Sequence, residues 1–130
     1  MGLELVSVIV REYDEAIAFF VNVLGCVLEE DSPSLDGDGQ PKRWVVVRPS
    51  GSGSGILLAQ ARGEEQTAII GRQFAGRVGL FLRVDDFNAS YTRMTKAGVE
   101  FLTTPRSEGY GKVAVFKDLY GNKWDLLGTT

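Results

Sequence analysis

Histidine is missing from all 130 residues. This removes the commonest transition-metal ligand, the usual general base near neutral pH, and every catalytic triad that depends on imidazole. Chemistry in this chain would have to use carboxylates, Lys, Tyr, Ser or bound water. Cysteine is almost missing too. The single Cys26 excludes an internal disulfide framework, and its place after the apolar run Phe19 to Leu24 reads as a buried, inert thiol. No stretch of about 18 apolar residues is present, and the N-terminal region has no basic segment followed by an apolar signal core. A cytoplasmic protein is expected, with no membrane partner. Charge of one sign is also lacking: the net charge is -3 with acidic and basic residues interspersed, which argues against nucleic acid or an anionic membrane as partner.

What is present suffices for one compact domain, since 44% of the residues are hydrophobic and a chain of this length can bury a core. The chain also repeats itself. Residues 4–28, "ELVSVIVREYDEAIAFFVNVLGCVL", and 78–102, "VGLFLRVDDFNASYTRMTKAGVEFL", share one plan: apolar strand, acidic turn, amphipathic helix, glycine, another strand. Val10 falls on Val84, Glu12 on Asp86, Phe20 on Met94 and Leu24 on Ala97.

Each unit has a physical logic. In the first, Ala16, Ile17, Phe20 and Leu24 recur at helical spacing, Asp14 suits the N-terminal turn and Gly25 a left-handed stop. In the second, Phe87, Tyr91, Met94 and Ala97 form the stripe, Asp85 or Asp86 the N-terminal cap, and Gly98 the stop. Further strands follow each helix: "KRWVVVRP" and "GILLAQ", separated by "SGSGSG", then "KVAVFKD" and "KWDLLG", joined by "LYGN". The "SGSGSG" segment lacks the "GK[ST]" ending of a phosphate loop and reads as a flexible hairpin connection. The fold class is therefore α+β, a βαβββ unit repeated twice. Module one is expected over about residues 1–61 and module two over about 77–130. The connecting residues 62–76 contain helix formers.

Paired βαβββ units, the "VRE" and "VDD" strand ends, the "AGVEF" step and the terminal "KDLYGNKWDLL" resemble the vicinal oxygen chelate superfamily, which includes glyoxalase I, bleomycin-resistance proteins and extradiol dioxygenases. The resemblance covers nearly the whole chain and implies a curved mixed β-sheet around a U-shaped cleft, with modules paired in a homodimer. In metal-dependent members the ligands come from the first and last strand of each module. Those positions fall on Leu5, Leu57, Gly79 and Asp125, and only the last is a donor. A divalent transition metal needs about three or four protein donors, so no metal and no cofactor are expected.

Strand alternation then selects the cleft side chains. Leu5, Ser7 and Ile9 point inward from the first strand, Leu57 and Ala59 from the fourth, Gly79, Phe81 and Arg83 from the fifth, Asp125 and Leu127 from the last. Ser7, Trp44, Leu57, Phe81, Arg83, Tyr110 and Asp125 are the candidate ligand-binding residues. Arg83 and Asp125 would pair there, as a ligand clamp or a structural bridge, while Phe81 and Trp44 have packing roles as the competing reading. "PRSEGYGKVAVFKD" reads as a lid carrying Tyr110 between two glycines, or as a surface loop with a packed tyrosine. If the protein is a catalyst, Asp125 is the candidate base and Tyr110 or Tyr120 the candidate acid.

Two functions fit. One is a metal-independent protein that sequesters a hydrophobic or amphipathic small molecule such as an antibiotic, as the resemblance to bleomycin-resistance proteins implies. The other is a metal-free lyase, isomerase or hydrolase using Asp125 with a tyrosine.

Overall fold

The structure is a computed structural model that describes residues 1–51 and 53–129. Ser52, within the "SGSGSG" connection, and Thr130 lie outside the described residues. The chain forms two compact units, residues 1–70 and 71–130, here called module one and module two.

Module one contains β1 (Leu5–Val10), α1 (Tyr13–Ala18), β2 (Val27–Leu35), β3 (Pro41–Arg48), β4 (Gly55–Gln60) and α2 (Gly63–Ile69). Its mixed sheet has the order β1-β4-β3-β2, with β1 parallel to β4 and the other pairs antiparallel. Module two contains β5 (Val78–Val84), α3 (Phe87–Lys96), β6 (Arg106–Glu108), β7 (Gly111–Lys117) and β8 (Lys123–Gly128). Its order, β5-β8-β7-β6, repeats the same topology, with β5 parallel to β8.

Both first helices start as their sequences dictate. Glu12 caps α1 by accepting from the Glu15 N–H at 2.7 Å, and Asp86 caps α3 by accepting from Ala89 N–H at 3.1 Å. The apolar stripe of α1 runs on through Phe19–Val23, where the helix widens into a π-helical turn, and buries Ala16, Phe20 and Leu24. Phe87 and Met94 of α3 are fully buried, whereas Ala97 is exposed.

Each sheet buries one face, and the other carries mostly exposed or half-buried side chains, with Val46 and Val113 buried on it. Val8, Val10, Val45, Val47 and Leu58 are buried in module one, and Leu82, Phe116, Trp124 and Leu126 in module two. Cys26 is buried, and burial pushes its thiol up to about 11, which makes it unreactive. Among the described residues no helix is long and apolar enough to cross a membrane.

Two expectations are corrected here. The "VEF" step after Gly98 is not a strand. Phe101 makes an isolated bridge to Phe116, flanked by backbone bonds from Leu102 N–H to the Val115 carbonyl at 2.8 Å and from Lys117 N–H to the Glu100 carbonyl at 3.0 Å, and packs its ring 4.4 Å from Tyr91, so the pairing with β7 stops at a single bridge. The region around Tyr110, expected as a lid or a surface loop, is a hairpin: β6 and β7 pair through Glu108↔Gly111 and leave Gly109 and Tyr110 as its tip.

Candidate functional site

The register fixes which side chains share the open face of each module. In module one Ser7 pairs with Leu57 and Leu57 with Val46, while Ile9 pairs with Ala59 one row on. Ser7 is exposed; Ile9, Leu57 and Ala59 are half-buried. A cavity of about 180 Å³ opens beside this face, with Trp44, Leu57 and Ala59 as its apolar wall. Its polar wall includes Lys42, Asp36 and Arg62. Arg62 donates to the Pro41 carbonyl at 2.6 Å and pairs with Asp36 at 2.8 Å, which ties the β4–α2 connection to the β2–β3 hairpin. Trp44 and Leu57 therefore stand together, with Ser7 in the same row as Leu57.

In module two the equivalent row is Phe81–Asp125–Val115, and the next is Arg83–Leu127–Val113. Asp125 occupies the same place in β8 as Leu57 does in β4. Phe81 is 63% exposed, a large apolar side chain left in solvent on a sheet face. Asp125 is half-buried, and desolvation pushes its carboxyl above the ordinary carboxylate value, with Arg106 pulling in the opposite direction. Arg83 was expected to be the partner of Asp125. It is level with Leu127 rather than Asp125, and among the described residues no hydrogen bond or ion pair joins the two. The relevant cation is Arg106 on β6, a residue with no marked pattern in the sequence, which bonds Glu108 at 2.6 Å. Tyr110 and Asp125 both act on Arg106 electrostatically. Tyr110, 52% exposed at the hairpin tip, borders a shallow surface depression together with Ser107, Glu108 and Lys112. Tyr120 lies instead in the β7–β8 turn.

That turn is built on a carboxylate overlooked among the candidate residues. Asp118 is buried and its Oδ1 accepts from the backbone N–H groups of Tyr120, Gly121 and Asn122. Its Oδ2 accepts from Asn122 Nδ2 and from Trp124 Nε1 at 3.0 Å. A carboxylate engaged in this way holds the start of β8, and hence Asp125, in register. Its role is structural.

The positions that supply metal ligands in metal-dependent members of the resembling family can now be tested for fit. Leu5 and Leu57 in module one offer no donor atoms. In module two, a Cβ added at Gly79 would stand 2.1 Å from Cγ of Phe74, so the space for any ligand side chain there is already filled. Asp125 alone remains. Among the described residues no three His, Cys, Asp or Glu side chains cluster as a metal would require. The donor set does not fit a divalent transition metal.

Comparison with known proteins agrees with this architecture. The family model described as Glyoxalase/Bleomycin resistance protein/Dioxygenase superfamily matches residues 2–126. The chain belongs to that superfamily. It is 51% identical over 123 residues to an uncharacterized protein of Shewanella frigidimarina (strain NCIMB 400), covering 94% of this chain and 89% of the relative. Among solved structures, UcmS2 is 30% identical with a TM-score of 0.78, covering 98% of this chain and 97% of the other. TnmS3, described as an antibiotic binding protein from Streptomyces sp. CB03234, is 28% identical with a TM-score of 0.75, covering 100% of this chain and 97% of the other.

Proposed function

We propose that this protein is a metal-independent binder of a hydrophobic or amphipathic small molecule, such as an antibiotic, which it sequesters in the cytoplasm as a symmetric homodimer. The observation that carries the reading is the state of the four ligand positions: Leu5, Leu57 and Gly79 donate nothing, and the ring of Phe74 fills the space at Gly79. The surfaces left open are mostly apolar with a few polar groups, the composition typical of small-molecule sites. Similarity to the antibiotic binding protein TnmS3 supports the same class of ligand. The dimer is supported by the open sheet edges, with Val27, Leu28 and Leu35 exposed on edge strand β2.

A thermal-unfolding screen against amphipathic antibiotics tests the binding reading. A ligand specific for the folded state at about 100 times its Kd stabilises by about 2.7 kcal/mol. We expect one compound class to raise Tm, to be recovered chemically unchanged, and to bind equally well in chelator. Absence of any shift across the panel would contradict the reading.

A metal-free lyase or isomerase is the second reading, favoured by one observation: the carboxyl of Asp125 is shifted upward by desolvation, the direction that suits a general base. It requires turnover that Asp125→Asn lowers about a hundred-fold or more with binding unchanged.

A further inference from the structure

We infer that Lys117 and Lys123, at the turn end of the β7–β8 hairpin, form an anion-binding site that takes a doubly charged oxyanion, the phosphate group of a small molecule. Such a site stands independently of the hydrophobic-ligand reading and adds to it.

The two lysines are partners in the antiparallel ladder, Lys117↔Lys123. Residues directly opposite one another project from the same face with Cβ atoms about 4.5–5.5 Å apart, and like charges placed so repel. Both lysines are half-buried, which limits how far the two ammonium groups can spread, and a cation partly withdrawn from water calls for a counter-charge. Among the described residues neither ammonium has a hydrogen bond or an ion pair. The acids near them in the chain are committed elsewhere. Asp118 is buried and its carboxylate is saturated by five donors, and Asp125 lies a step further along β8, level with Val115. Glu100, whose carbonyl accepts from Lys117 N–H at 3.0 Å, is exposed, and among the described residues its carboxylate pairs with neither lysine.

More positive charge gathers at this end of the sheet. Arg77 immediately precedes Val78, the partner of Lys123 on β5. Arg72 follows Gly71, where a Cβ would stand 1.9 Å from the Tyr120 carbonyl oxygen, so its segment lies against the β7–β8 turn. Residues 71–79 contain no acid. Among the described residues neither arginine side chain is engaged in a hydrogen bond or an ion pair.

The internal repeat provides a reference. With Leu57 matched to Asp125, Lys117 and Lys123 correspond to Arg48 and Gly55 of module one. There a single cation faces a glycine, and a Cβ at position 55 would lie 3.1 Å from the Arg48 Cζ. Glu4 and Glu29 neutralise that cation at 3.0 and 2.5 Å. Val78 takes the place of Glu4 in the second repeat. Module two thus sets two cations where module one has one, and lacks the carboxylates that balance it. An anion from solution supplies the missing charge, and two ammonium groups on rotatable stems suit the doubly charged, three-oxygen head of a phosphate monoester.

The test is thermal unfolding at matched low ionic strength in sodium chloride, acetate, inorganic phosphate and methyl phosphate, at a pH above about 7 where the phosphates are doubly charged. Wild type is compared with Lys117→Gln, Lys123→Gln and the double variant. In chloride each single variant is expected to melt about 1–2 °C above wild type, because the cross-strand repulsion is gone. Both phosphates are expected to raise the wild-type Tm saturably by about 3–5 °C over chloride, which reverses that order. Phosphate also stabilises proteins by exclusion from their surface, and the double variant is expected to show that part alone. Where the double variant does not fold, either single variant serves as the reference. An equal rise in wild type and reference, no rise in either, or a wild type that melts as high as the single variants in chloride would overturn the inference. So would an equal rise with acetate, or a rise with inorganic phosphate but none with methyl phosphate, which would leave a free ion in place of a phosphate-bearing molecule.

Discussion

The two modules share one topology and are held together by different chemistry. Module one has an aliphatic core around Val8, Val10, Val45 and Val47. Its edge strand β2 is nine residues long, with Arg43 bonded to Asp31 and Asp14, and Arg48 to Glu29 and Glu4. Module two has an edge strand of three residues and relies on contacting aromatic rings, from Phe87 through Tyr91, Phe101 and Phe116 to Trp124, with Asp118 clamping the β7–β8 turn. Strand order and alternation thus specify the sheet, while the devices that hold it are free to diverge. The open faces have diverged as well. Equivalent rows read Ser7–Leu57 and Phe81–Asp125, so the polar group sits on the first strand of one module and on the last strand of the other.

If the clamp in module two is the stronger device, its loss should be the most damaging change. Asp118→Ala leaves several buried donors unpaired and should destabilise by about 3–5 kcal/mol in urea unfolding. A cost under about 1 kcal/mol would show that the turn is held by other contacts. Gly71→Ala comes next: at φ 75 its Cβ would stand 1.9 Å from the Tyr120 carbonyl oxygen, a backbone clash that no rotamer relieves, with an expected loss of about 2 kcal/mol. Asp125→Asn should leave the fold intact and weaken ligand binding by about 1–3 kcal/mol. The ion pairs of module one should matter least. Arg43, with its side chain 32% exposed, should cost about 0.5–1 kcal/mol on change to Ala, and a loss as large as that of Asp118→Ala would reverse the comparison.

Acid sharpens the contrast, because the modules respond with opposite sign. The hydrogen bond from Arg43 holds the Asp31 carboxyl below its ordinary 3.8. Its contribution is therefore present above that value and is lost as pH falls through the lower folded pKa. Desolvation holds Asp125 above 3.8, so its contribution is complete below that value and is lost as pH rises through the raised folded pKa. Asp31→Asn should flatten the acid side of a stability profile, whereas Asp125→Asn should raise stability slightly at neutral pH. Identical profiles for the two variants would contradict this assignment.

Much of the architecture was legible because it depends on local rules. Period-two alternation put Ser7, Leu57, Phe81 and Asp125 on open faces and Leu82, Trp124 and Leu126 in the core, and the spacing of Ala16, Phe20 and Leu24 marked a helix. The features that were not legible depend on register or on distant approach. Arg83 and Asp125 looked like neighbours because alternation gives both to one face, but the pairing sets Asp125 beside Phe81 and Arg83 beside Leu127. The "VEF" residues favour a strand, yet Phe101 is drawn into ring contacts with Tyr91 and Phe116. Gly79 looked like a lost ligand position, and nothing in its neighbours shows that Phe74 rests on it. The acidic residue of "KDLYGN" reads as a turn former, while the convergence of Trp124 Nε1 on it appears only once the hairpin closes.

Native mass spectrometry of untagged protein purified from its own source tests the central claim most directly, because one spectrum reports the metal, the organic ligand and the oligomer. The account predicts a dimer that retains an organic small molecule, with less than about a tenth of an equivalent of Zn, Ni, Mn or Fe per chain, since a donor set this poor cannot hold one. Stoichiometric metal, retained after buffer exchange and raising Tm when added back, would contradict it.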